Sequence, residues 1–343
     1  MTAPGRVKPL PAALWPCLGM VTLLLLNAAV DLFAGRGLFG VGAFLHLSVR
    51  DGIPAGPLLD IVNYGAIFAI LGIGMVPVIG TRGVDLSVGS VMAISGAVAA
   101  TQSVGGASPA WSITAALVVA IGCGAWNGLL VSGLGLQPFV ATLVLMVAGR
   151  GIAQLITASQ IITFHDATLE YLASGRPPWL PLPFPFLLAL FLLAATLLIL
   201  RGTALGELLE AVGGNPEAAR LAGVRSAVMV GGSYLFSAGC AGLAGLIAAG
   251  NIKAADPFNA GKNLELAAIF AVVVGGTPQT GGRLAILGAA VGGLLMQTLT
   301  TTMYARNIAA DVAPLPQALV ILSVCILGTT AGRQALRSLW RRQ

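Results

Sequence analysis

Long apolar runs separated by short polar breaks fill this chain, and the runs are too long for strands. About 20 apolar residues cross the hydrocarbon core of a bilayer as a helix. On that measure the sequence predicts spans at Ala12–Phe33, Asp60–Gly80, Val88–Val104, Ala110–Ser132, Pro138–Ser159, Leu182–Leu200, Ala227–Ala249, Leu264–Gly276, Leu284–Met303 and Pro314–Ala331. The expected fold is all-α, a polytopic membrane protein of about ten transmembrane helices, with residues 1–343 forming a single transmembrane domain. The first run follows Arg6 and Lys8 and is followed by no good cleavage signal, so it reads as an uncleaved span. The run Leu264–Gly276 is short and ends in two glycines, which fits a half-helix or re-entrant segment.

Composition supports the membrane reading. Apolar residues make up 57% and charged residues 9% of the chain, against about 25% charged in soluble domains. Such a chain cannot cover itself with a hydrated surface, so its partner is membrane lipid. The 46 glycines suit helices that approach closely within a bilayer. The net charge of +6 comes from scattered residues in a mostly apolar chain, so a nucleic-acid partner is not expected and the positive-inside rule explains the excess better. With both termini cytoplasmic, Arg6, Lys8, Arg82, Arg201, Arg220, Arg225, Arg283, Arg333, Arg337, Arg341 and Arg342 fall inside. Arg36, Arg50, Arg176, Lys253, Lys262 and Arg306 fall outside, and Arg150 lies within a span. Cys17, Cys123, Cys240 and Cys325 sit in apolar stretches without CxxC spacing and read as packing residues.

The chemistry of the chain is transport chemistry. Its only lysines are Lys8, Lys253 and Lys262, and none stands in the GxxxxGK[ST] loop that holds nucleotide phosphates. No HExxH or paired-carboxylate constellation occurs, so no catalytic residue, metal site or cofactor is expected on this chain. His46 and His165 fall in external loops without a metal-ligand pattern. Asn127, Thr142, Gln154 and Gln297 place neutral hydrogen-bonding groups inside spans, where they serve helix–helix contacts or a polar path. Asp85 and Ser87 stand at a helix start, as caps or as a gate element. Arg150, deep in a span, must face protein or a water-filled cavity. Asp31, Asp60 and Asp85 are its conceivable partners.

The longest polar break, about 201–226, reads as two short helices on the cytoplasmic side. Thr203 can cap the first, Glu207 sits in its first turn and Gly213-Gly214 end it. Asn215 can cap the second, with Pro216 at its first position, Glu217 near its positive end and Gly223 as terminator. Such a loop is either an ordinary amphipathic connection or a rigid lever between a soluble motor and the spans. A weak internal repeat also shows: Ala66-Ile67-Phe68-Ala69 and Ala268-Ile269-Phe270-Ala271 each open a run that ends in Gly-Thr.

Several motifs carry a family resemblance. Glu217-Ala218-Ala219 followed by Gly223 resembles the EAA loop of ATP-binding cassette (ABC) importer permeases. Gly83-Val84-Asp85-Leu86-Ser87-Val88-Gly89 is similar to the GIDLSVG signature of the ribose-type sugar permeases. Trp126-Asn127-Gly128, the stretch Gln137 to Leu143, Gly149-Arg150-Gly151, Gly213-Gly214-Asn215-Pro216 and the stretch Ala271 to Gly276 resemble the same family. Pro138 to Thr163 most resembles the galactofuranose type, and Arg82 stands where the family often has glycine.

The resemblance implies a permease subunit that moves a monosaccharide, a pentose or a galactofuranose-like sugar, across the bacterial inner membrane by alternating access. Its implied partners are an ABC ATPase, which carries the ATP and magnesium, a periplasmic sugar-binding protein, and a second permease in a homo- or heterodimer. The implied ATPase-coupling residues are Gly214, Asn215, Pro216, Glu217, Ala218, Ala219 and Gly223. Asp85, Ser87, Asn127, Thr142, Arg150 and Gln297 are the candidates for path or gate. The rival readings are an ion-coupled secondary transporter, which needs an intramembrane carboxylate such as Asp31 or Asp85, and an intramembrane enzyme.

Overall fold

The computed structural model describes residues 13–35, 37–38, 40, 43–50 and 53–308, with isolated positions at 312, 315, 318, 319 and 322. Most of the span expected at Pro314–Ala331, Cys325, Arg36 and the charged residues of both termini lie outside the described residues. Helices dominate. In chain order they are α1 (Leu14–Phe33), α2 (Pro57–Gly80), α3 (Val88–Val104), α4 (Pro109–Gly128), α5 (Pro138–Ile156) and α6 (Ala167–Ser174). There follow α7 (Phe184–Gly202), α8 (Leu205–Gly214), α9 (Pro216–Leu221), α10 (Ser226–Ile252), α11 (Leu264–Val274) and α12 (Ile286–Ala305). A π-helical turn, Leu129–Gly133, extends α4. Short strands β1 (Ser48–Arg50), β2 (Ile53–Ala55), β3 (Ile162–Thr163) and β4 (Ala254–Ala255) pair antiparallel, β1 with β2 and β3 with β4.

Among the described residues, α1, α2, α4 with its π turn, α5, α7, α10 and α12 are long and apolar enough to cross a bilayer. The chain is thus an all-α polytopic membrane protein. The shorter α3 has 17 residues. The half-span expected at Leu264–Gly276 becomes the 11-residue α11, about 16 Å long at 1.5 Å per residue and too short to cross alone. Its apolar run stops where Gly276 takes a φ of +95°, a conformation that favours glycine.

Helix α2 stands at the centre of the molecule, packed on α10 and α12 and flanked by α7 and α11. Helix α10 also holds α3, α4 and α6, while α1 leans on α12 and α5 on α3. Backbone proximity makes this packing possible. Ser112, Ala116, Ala120, Gly124 and Gly128 recur every fourth residue along α4, and all are buried. That face lies on α10: a Cβ on Gly124 would stand 2.7 Å from the carbonyl oxygen of Tyr234. A seam of small residues therefore replaces the bulky interdigitation of a soluble core. The outer face of α4 carries Trp111 and Trp126, about 22 Å apart along the axis; amphipathic indoles of this kind favour the two membrane–water interfaces. Of the cysteines, Cys240 is buried and Cys17 and Cys123 are half-buried, all as free thiols.

The loops sort to two ends. One end gathers the close of α2, the helices α8 and α9, and the α11–α12 connection. The other gathers the β1–β2 hairpin, the β3–β4 pair, α6, the close of α10 and the end of α12. There Lys253 pairs with Glu170 at 2.7 Å and Arg306 with Asp31 at 2.8 Å.

Candidate functional site

The segment between α2 and α3 is the polar hub of the molecule. Asp85 is buried, and one carboxylate oxygen accepts from the Ser87 amide at 3.0 Å and the Ser87 hydroxyl at 2.6 Å. Its other oxygen accepts from the Ser237 hydroxyl of α10 at 2.9 Å. Asn127 of α4 donates to the Ser87 hydroxyl at 2.8 Å. Thr142 of α5 and Tyr234 of α10 donate to the Val84 carbonyl at 3.3 and 3.4 Å. A buried carboxylate with three donors is held in place by them. Asp85, Ser87, Asn127 and Thr142, dispersed in sequence, thus meet in one network. The capping reading holds for Asp85, which accepts the Ser87 amide at the helix entrance, and is corrected for Ser87, whose side chain accepts from no amide of α3 and donates to Asp85 instead. Asn127 Oδ1 is buried without a hydrogen-bond partner.

Arg150 lies beside this hub but outside its network. Its Nη1 donates to the carbonyl of Ala260. The acidic charges that act on it are Glu265 and Asp256. The pairing expected with Asp31, Asp60 or Asp85 is therefore corrected: Asp31 is engaged by Arg306 and Asp85 by its serines, while the 253–263 loop folds back over α5. Burial pushes Asp256 up, but the Asn259 side chain, the amides of Phe258 and Asn259, and the charge of Arg150 bring it below its ordinary value. Oε2 of Glu265 is buried without a hydrogen-bond partner.

Gln297 stands apart from the hub, on the opposite flank of α2. It is buried, donates to Thr301 at 3.1 Å and borders a cavity of about 630 Å³ between α2, α11 and α12.

The α8–α9 loop follows the reading of its caps closely. The Thr203 hydroxyl accepts from the Leu205 amide at 3.2 Å and Glu207 lies in the first turn of α8. Asn215 accepts from the Ala218 amide at 3.1 Å, Pro216 opens α9, and Gly223 ends the motif at a φ of +86°. Glu217, Ala218, Arg220 and Leu221 are exposed while Ala219 is buried. Glu217 pairs with Arg220 at 2.7 Å. That hydrogen bond and charge hold the Glu217 carboxyl below its ordinary range, so it presents a fixed negative charge.

The root of this loop is joined to the spans by backbone contact. A Cβ on Gly213 would stand 1.8 Å from the carbonyl oxygen of Gly80, so only glycine allows the end of α8 to meet the end of α2. The Gly282 amide donates to the same Gly80 oxygen at 2.9 Å, and Glu210 accepts from the Leu284 amide at 2.9 Å. Arg82 completes the junction, its Nε donating to Gly213 O at 2.5 Å and its Nη2 to Gly214 O. These are carbonyls of the last turn of α8, which lack helical donors and attract a cation. Arg82 holds a φ of +65°, unusual for a side-chain-bearing residue. The two Gly-Thr turns of the weak repeat come together here, Gly80 on one side and the chain after Thr277 on the other.

Sequence reasoning missed Ser237, Tyr234, Glu210 and Glu265, and although it singled out Arg82 and Asp31 it did not give their partners, the α8 carbonyls for Arg82 and Arg306 for Asp31. Serine and tyrosine in an apolar run announce nothing by spacing. Glu265 did leave a signal, as a lone charge at the start of an apolar half-helix.

With this geometry in hand, likeness to known proteins becomes informative. The pattern of a protein family described as "Branched-chain amino acid transport system / permease component" matches residues 58–328. The galactofuranose transporter permease protein of Escherichia coli is 46% identical over 83% of this chain and 83% of its own. The fructose import permease protein of Bifidobacterium longum is 38% identical over 83% and 81%. The ribose import permease protein of Haemophilus influenzae is 33% identical over 81% and 87%. No solved structure matches significantly. The matched stretch holds the hub, the cavity and the α8–α9 junction together, and the chain belongs to this family of transport-system permease components.

Proposed function

We propose that this chain is the membrane-spanning subunit of an ATP-driven monosaccharide importer of the bacterial inner membrane. The relatives with sugar names support the substrate class, among them galactofuranose, fructose and ribose permeases. The observation that carries the mechanism is the α8–α9 lever: its tip presents Glu217, Arg220 and Leu221 outward, while its root is joined to α2 and the α11–α12 turn. A partner pressing on that tip moves the ends of two central elements at once. The partner is an ABC ATPase, which brings the ATP and magnesium. A periplasmic binding protein delivers the sugar at the opposite end, and a second permease supplies the matching docking loop for the other ATPase. The α8–α9 end, with Arg82, Arg201, Arg220, Arg225 and Arg283, then faces the cytoplasm. A single permease domain with its coupling loop at about 201–226 suffices for this role.

An ion-coupled mechanism needs a titratable carboxylate in the membrane. The two carboxylates named for that role are both engaged, Asp31 by Arg306 at 2.8 Å and Asp85 by three hydrogen bonds. The test is purification of the tagged protein from its native host beside Glu217→Arg, with identification of the co-purifying chains. The expected result is an ABC ATPase that follows the wild type and is lost from the variant. Uptake that stops on ATP depletion and survives a proton uncoupler completes the case. Uptake abolished by the uncoupler alone, with no ATPase bound, overturns it.

A further inference from the structure

The cavity bordered by Gln297 has a wall pattern that neither the hub nor the α8–α9 lever accounts for. Asp60 and Tyr64 lie four residues apart on α2, and Gln297, Thr300, Thr301 and Tyr304 recur at three- and four-residue spacing on α12. Each set therefore forms one helix face, and the two faces look at each other across about 630 Å³ of space. Helices α2 and α12 are the two most enclosed of the seven long spans described, and α12 is the least apolar of them. Further along α2 the same wall becomes Ile67 and Phe68. A polar stripe on a transmembrane helix that merely packs against a neighbour closes on its own partners. Among the described residues, this one borders open space as well as its own hydrogen bonds.

The chemistry of the wall is that of a polyhydroxylated ring. A monosaccharide presents hydroxyls around its rim and an apolar C–H face. Gln297 and Thr301 are buried at 6% and 8% exposure and form a floor of neutral donors and acceptors. Tyr64 and Tyr304 are 42% and 57% exposed, large flat rings at the mouth that can cover the C–H face. Asp60 lies at the opening, where a second cavity of about 680 Å³ shares Pro57, Asp60 and Ala305 with the first and continues toward Arg306 and the loop end opposite α8 and α9. The charge is thus at the rim and the neutral groups are at depth. Neutral groups bind a sugar weakly enough to release it, which a transport site requires.

We propose that the facing stripes of α2 and α12 form a monosaccharide-binding subsite on the entry side of the permease, with Gln297 and Thr301 hydrogen-bonding the sugar hydroxyls and Tyr64 and Tyr304 flanking its ring. This rests on the reading of the chain as a monosaccharide permease. The test uses the complete transporter in proteoliposomes, with ATP inside and binding protein outside, and labelled D-ribose, D-fructose and D-galactose as probes. Gln297→Leu keeps the size of a buried side chain, and Thr301→Val is close to isosteric. The expected result is a roughly 3–10-fold fall in uptake for each variant, the factor of one lost hydrogen bond, with altered relative rates among the three sugars. Co-purification with the ATPase is retained. Unchanged relative rates in both variants, even if all uptake falls together, mean a packing role and overturn the subsite. Wild-type transporter that carries none of the three sugars overturns the monosaccharide reading itself, and the subsite with it.

Discussion

Around Asp85, each carboxylate oxygen meets a donor within 3.0 Å, and the serines that supply them are fully buried. Around Gln297, similar neutral groups line about 630 Å³ of open space. Both regions put polar residues inside an apolar bundle, and both lie against α2. The difference is what satisfies them. In the first, three helices and the α2–α3 turn supply the partners from within the protein, so the cluster ties α4, α5 and α10 to the entrance of α3. In the second, α2 and α12 hold their polar faces apart, leaving room for a solute. A polar group enclosed by donors from other helices serves the fold, whereas Gln297, bonded to Thr301 on its own helix, also borders open space.

This contrast can be broken by mutation, beginning with the largest effect. Asp85→Ala removes the acceptor of three donors at once and leaves a buried amide and two hydroxyls to find others. The expected loss is about 3 kcal/mol or more, read as a lower thermal midpoint in detergent. A variant as stable as wild type would make the hub dispensable for folding and return Asp85 to the gate role. Next comes Arg82→Gly at the α8 junction. Glycine accepts the φ of +65° without strain, so the fold should persist while two charge-assisted hydrogen bonds to the lever are lost. ATP-driven uptake is expected to fall about tenfold with the ATPase still bound. Wild-type uptake would show that the glycine contacts alone transmit the motion. The smallest effect belongs to the cavity. Gln297→Leu should change thermal stability by less than about 1 kcal/mol, because only its bond to Thr301 is lost. A drop as large as that of Asp85→Ala would place Gln297 with the structural cluster instead.

Much of this architecture was legible in the chain. The helix boundaries fall within a few residues of the apolar runs: Asp60–Gly80 was extended to Pro57 and Pro138–Ser159 shortened to Ile156. The caps of α8 and α9 were readable because capping is local, with donor and acceptor two or three residues apart. The candidate path residues were legible as polar exceptions, but they read as one group. Their division into hub and cavity was hidden because Asp85 meets Ser237 across 152 positions of sequence. The same holds for Arg150. The search for an acidic partner considered charges elsewhere in the spans, yet the hydrogen bond goes to a backbone carbonyl at Ala260, which no side-chain pattern reports.

What the sequence by itself determined is the solvent and the elements. A chain with 9% charged residues must face lipid, and the length of its apolar runs determines helices of nearly the observed extent, since every backbone polar group in a bilayer must be satisfied within the helix. What only the tertiary structure decided is which polar residues are enclosed by other helices and which border open space. That depends on the rotation of each helix about its axis, set here by the small faces of α4, α10 and α12 approaching to backbone contact. Sequence spacing says which residues share a face. It does not say which face another helix will cover.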